Sequence, residues 1–144
     1  MRGYRLSTAV VLAGMVIASC SGDTSGEVTM EDAVNDDFDG GSFTATGPVI
    51  CDSGETNTLD FNVDETVWWF QNEYVCTDGS GTFVVRGELP PPPDPGSGTP
   101  PEPQDGTWIV ETGTGDYSNL EGSGTLRTNP ETLITSYEGE MTNG

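Results

Sequence analysis

Between Glu111 and Leu126 the sequence reads ETGTGDYSNLEGSGTL, and its four glycines fall in two alternating pairs, Gly113 with Gly115 and Gly122 with Gly124. Glycine at every second position leaves one face of a strand without side chains. That permits sharp coiling, a bulge, or a neighbour packed directly on the backbone. Tyr117 and Leu120 lie three residues apart inside the turn, so one helical turn directs both the same way, with Gly122 offering a left-handed exit. The stretch therefore reads as strand, tight turn, strand.

The chain around this corner is also written in strands. Ser42 to Thr46 is a short strand broken by Gly47-Pro48, which Val49 to Asp52 continues. Leu59, Phe61 and Val63 alternate with Asp60, Asn62 and Asp64, the pattern of a half-buried strand. From Thr66 to Cys76, one face carries Trp68, Phe70, Tyr74 and Cys76, and the other carries Val67, Trp69 and Val75. Apolar groups on both faces point to a central strand. Asp78-Gly79-Ser80-Gly81 supplies a turn, and Thr82 to Leu89 returns as a hairpin partner. Residues 90–106, with their run of prolines, cannot enter a sheet interior and read as a surface loop. Thr107 to Thr112, Gly122 to Thr128 and Thr132 to Met141 complete the set. The count is seven or eight short strands with no helix, an all-β chain forming a sandwich or a barrel.

Three segments together resemble one family. Gly113 to Thr125, GTGDYSNLEGSGT, resembles the glycine-rich segment of the allene oxide cyclase barrel-like superfamily, which includes the dirigent-like proteins and many secreted bacterial proteins. Phe43 to Gly47 ahead of Cys51, and Val75 to Phe83 around Cys76, are similar to secreted members. The resemblance covers much of Ser42 to Leu126 and implies a small, mostly antiparallel β-barrel. It does not imply an activity, because one barrel in that superfamily serves cyclases, dirigent proteins and others. The proline-rich loop departs from the family pattern, in which a shorter turn is expected.

The N-terminus implies export. Residues 1–19 hold Arg2 and Arg5, an apolar run from Leu6 to Ala18 and no acid, which is a signal peptide too short to span a membrane stably. Ile17-Ala18-Ser19-Cys20 resembles the lipobox of bacterial lipoproteins, which implies thioether lipidation of Cys20. The expected location is extracytoplasmic, anchored to the bacterial cell membrane or envelope through lipid. Without the signal the chain has only Arg86 and Arg127 to set against 24 acids, with no lysine and no histidine. That balance repels nucleic acid and makes it a poor partner. With Cys20 lipidated, Cys51 and Cys76 remain as an even pair in an oxidising compartment and read as one structural disulfide.

Residues 20–40 are acidic and poor in large apolar groups, and read as a flexible tether to a barrel domain over 41–144. Within the tether, Asn35, Asp37, Asp39 and Gly40 match the start of a calcium loop, but Thr46 stands where its glutamate belongs. A solvated acidic run is the expectation, with no metal and no cofactor.

The absence of histidine excludes Ser-His-Asp and Cys-His catalysis and the common zinc sites. Many acids remain, with nothing to single out a catalytic pair. The rings are more suggestive. Trp68, Phe70, Tyr74, Trp108 and Tyr117 are candidate ligand-binding residues lining a barrel interior. Three functions stay open: binding of a small apolar ligand, an interaction or structural role for a barrel filled by its own aromatics, and a cyclase- or dirigent-type enzyme.

Overall fold

The computed structural model describes residues 24–64, 66–91 and 102–144. The signal peptide over 1–19, the lipidation site Cys20 and positions 92–101 of the proline-rich loop lie outside the described residues.

Eight strands follow one another: β1 Thr24–Val34, β2 Gly40–Thr46, β3 Ser53–Val63, β4 Trp68–Cys76, β5 Gly81–Leu89, β6 Gln104–Gly115, β7 Leu120–Asn129 and β8 Ile134–Asn143. Each pairs antiparallel with the next, and β8 returns to β1, closing a barrel. Closure leaves no sheet edge to pair with another chain. Along each strand alternate residues point inward, so Val28, Phe43, Tyr74, Phe83, Trp108, Leu126, Tyr137 and Met141 form one core.

The first strand corrects the expectation of a tether over residues 20–40. Thr24–Val34 pairs with β2 on one side and β8 on the other and is what closes the barrel. Its mean composition is acidic, but Val28, Met30 and Asp32 face inward while Glu27, Thr29 and Glu31 face out. The acids are the outer half of an alternation, so the barrel domain begins near Thr24 rather than at residue 41. Residues 35–39 then form the β1–β2 turn, held by Asn35 Nδ2 donating to Asp39 Oδ1 at 2.6 Å.

Val49 to Asp52 does not continue β2. Val49, Ile50 and Cys51 are buried in the connection that crosses one end of the barrel. Cys51 is bonded to Cys76 at the end of β4, with Cα atoms 6.0 Å apart. The glycine corner sits at the same end. Tyr117 and Leu120 are both buried, as their spacing predicts. The left-handed backbone comes at Gly115 (φ 60°), before the turn, rather than at Gly122. β6 starts at Gln104, three residues earlier than the sequence pattern implies, which shortens the connection after β5.

The strand carrying Leu59, Phe61 and Val63 is not half-buried there. A bulge between Thr58 and Asp60 shifts the register against β4. Before it Thr56 and Thr58 stand opposite the inward-facing Tyr74 and Asn72; after it Phe61 and Val63 stand opposite Phe70 and Trp68. The extra residue moves the odd positions onto the inner face, at the rim of the barrel, where all three apolar side chains are exposed.

Candidate functional site

The rim surrounds a cavity of about 460 Å³ at the end where β1 stops and β2 begins. Val34, Phe38, Phe61, Val63, Trp68, Phe70 and Leu133 supply its apolar wall. The strands bring most of these together by register, since Trp68 pairs with Val63 and Phe70 with Phe61 across β3 and β4. Phe70 also lies against Gly87 of β5, where an added Cβ would come within 2.3 Å of the ring. Glycine at that position lets the Phe70 ring lie flat on the sheet.

Phe38 and Leu133 reach the wall from turns, and at a cost. They are the only non-glycine residues with positive φ among the described residues, at 59° and 57°. A bulky residue in the left-handed region gives up about 1–2 kcal/mol. Such strain persists where the surroundings impose it and concentrates at functional sites. Phe38 is moreover 57% exposed and Phe61 61%, although both are large apolar rings.

Deeper in the barrel the chemistry becomes polar. Asn72 lines the cavity, is otherwise buried, and donates from Nδ2 to Asp32 Oδ2 at 3.1 Å. The Tyr74 hydroxyl lies 3.1 Å from the same oxygen and 2.9 Å from the hydroxyl of Tyr137. A phenol carries one proton, so the Tyr74 hydroxyl donates to Asp32 or to Tyr137 and not to both at once. Asp32 is 0% exposed. Burial pushes its carboxyl up to about 6, against the opposing pull of Thr56, Tyr74 and Asn72. The Thr56 hydroxyl acts there as a nearby dipole, because its oxygen makes no hydrogen bond of normal geometry. Burial also raises both phenols well above the usual tyrosine range.

Four buried polar atoms in the described barrel have no hydrogen-bond partner: Asp32 Oδ1, Thr56 Oγ1, Asn72 Oδ1 and Gln104 Oε1. Asn72 and Gln104 both line the cavity. Among the described residues, no three acidic, cysteine or histidine side chains converge as a metal cluster.

Of the aromatic residues singled out in the sequence, Trp68 and Phe70 line the cavity. Tyr74, Trp108 and Tyr117 are not among its described lining residues. They belong to the ring stack that fills the other half of the barrel, where Tyr74 stacks on Phe83 at 5.2 Å and Phe83 meets Tyr117 edge-on at 5.6 Å. Trp108 stands edge-on to Tyr137 at 6.3 Å, and its Nε1 donates to the carbonyls of Thr125 and Glu138. Sequence reasoning missed Asp32, Asn72, Phe38 and Leu133. Asp32 and Asn72 left a trace there, as the polar inward-phase members of Val28-x-Met30-x-Asp32 and Phe70-x-Asn72-x-Tyr74.

No family model matches the chain, and neither a curated protein nor a solved structure matches it.

Proposed function

We propose that this is a lipid-anchored extracytoplasmic protein that binds a small apolar molecule in the open end of its β-barrel. The observation that carries the reading is the apolar cavity of about 460 Å³, a volume within the range of small-molecule sites. The strained Phe38 and Leu133 support it, since two turns hold apolar side chains at the opening against their own backbone preference. The Cys51–Cys76 bond agrees with an oxidising compartment. β1 starts at the opposite end from the cavity, and four residues of chain span at most about 14 Å. A lipidated Cys20 would thus hold the closed end near the membrane and turn the opening away from it. The resemblance to the allene oxide cyclase barrel-like superfamily is compatible with this architecture and is likewise a proposal.

A cyclase- or dirigent-type enzyme is the second reading, favoured by one observation: a carboxyl pushed up to about 6 behind an apolar cavity. Asp32 is fully buried and reaches the cavity only through Asn72, so binding is the better-supported function. Native mass spectrometry of the disulfide-bonded protein with an envelope lipid and metabolite extract tests the choice. A bound molecule lost on Trp68→Ala is expected. A bare protein with every extract would refute the binding reading, and a bound molecule released chemically altered would favour the enzyme.

A further inference from the structure

The cavity has an apolar wall and two buried acceptors that lack a donor, one deep in the barrel and one nearer its mouth. Asn72 from β4 and Gln104 from β6 both line it, and the side-chain carbonyl oxygen of each is buried without a partner. Asn72 donates one amide hydrogen to Asp32, and its carbonyl oxygen has no partner. Behind it Asp32 Oδ1 is unpaired as well. Carbonyls accept hydrogen bonds and cannot donate them, and an ionised carboxylate is the same. The charged groups of the described lining are Asp37 and Glu102, both acids, with no arginine to set against them. Threonine hydroxyls at Thr58, Thr128 and Thr135 also line the cavity, but the two unpaired carbonyls are satisfied only by a ligand that brings donors, and the acids repel one that brings negative charge.

We propose that the cavity takes an amphiphile whose apolar body lies against Trp68, Phe70 and Leu133 and whose head is a non-anionic hydrogen-bond donor, a hydroxyl or an ammonium, directed at Asn72 and Gln104. The corresponding carboxylate is rejected. This rests on the binding function proposed above and adds the polarity of the ligand to it. Buried acceptors left unpaired penalise a ligand lacking the donor, which is how such sites discriminate strongly.

The test is a titration of the disulfide-bonded protein at pH 7 with n-octane, octan-1-ol, octylammonium and octanoate. Binding is followed by the tryptophan emission change that Trp68→Phe removes. A purely apolar cup would prefer n-octane, because a bare hydroxyl loses its water for nothing in return. The expected order is the reverse, with the alcohol and the ammonium tighter than n-octane by about tenfold and octanoate weakest. Asn72→Leu and Gln104→Leu should each bring the alcohol towards the alkane. Gln104→Leu carries that test if Asn72→Leu fails to fold, since Asn72 also holds Asp32. The relative affinities of alcohol and ammonium distinguish the two kinds of head. Octane as tight as octanol, or octanoate ahead of it, would overturn the donor-head assignment and leave the apolar cavity standing. No response to any of the four would overturn the cavity function itself.

Discussion

At the end of the barrel where β1 begins, Val49 and Ile50 fold under the strands and Cys51 is bonded to Cys76. At the end where β1 stops, the same eight strands surround open apolar space. The strands are continuous through both ends, so the difference lies in the connections. The β2–β3 connection turns inward and supplies apolar side chains as a plug, while the rings of Phe43, Tyr74, Phe83 and Tyr117 fill the barrel above it. The β1–β2 and β7–β8 turns at the other end stay at the rim and contribute Phe38 and Leu133 to a wall. An eight-stranded barrel is just wide enough for its side chains to fill it. Here they fill one half, which leaves the other as open apolar space.

That comparison can be broken at either end. The largest effect is expected in the filled half, where Phe83→Ala removes a fully buried ring and should cost about 3–5 kcal/mol in urea unfolding. Phe61→Ala at the rim should cost less than about 1 kcal/mol and yet weaken binding of n-octane. Equal costs would mean that the rim is part of the core. Replacing Cys51 and Cys76 together by serine releases a loop with a sequence separation of 25. The expected loss is about 3.5 kcal/mol by chain entropy, seen as a lower urea midpoint.

At the boundary between the halves, Asp32 makes stability depend on pH. Its folded carboxyl is raised from 3.8 to about 6, so between those values the folded state holds more protons than the unfolded. Stability should therefore be fullest below about pH 4, fall as pH rises towards 6, and stay level above, by roughly 3 kcal/mol in all. Asp32→Asn should remove that slope, and a slope that survives would remove Asp32 from the boundary. Asp64 and Asp78 act in the opposite sense. Hydrogen bonds from Thr66 and Ser80 hold their carboxyls down, so the stability they lend is lost as pH falls below about 4. The smallest effect is at the rim turn. Phe38→Asn suits a positive φ and should raise stability by about 1 kcal/mol while n-octane binding weakens.

The strand pattern was legible wherever alternation ran over apolar residues, as in Trp68–Cys76 and Gly81–Leu89, and the cysteine pair followed from parity and compartment. β1 was obscured because its inward positions are a valine, a methionine and an aspartate set among outward acids, so average composition outweighed period. The site was legible only in part. Trp68 and Phe70 sit on an inward face that alternation reveals. Whether an inward ring lines a cavity or fills a core depends on its height along the barrel axis, and a strand's sequence does not carry that height. Tyr74 is only four residues from Phe70 and both are buried, yet Phe70 lines the cavity and Tyr74 does not. The Thr58/Asp60 bulge, which turns Phe61 and Val63 inward, has no glycine or proline to announce it.

The most direct measurement is methyl NMR of the valine, leucine and isoleucine side chains during titration with n-octane. If the open half is a binding site and the filled half is not, the methyls of Val34, Val63 and Leu133 should shift in a saturable way. Those of Val49, Ile50 and Leu120 should stay where they are. Shifts at the plugged end, or equal shifts at both, would contradict the division of the barrel into a stable half and a binding half.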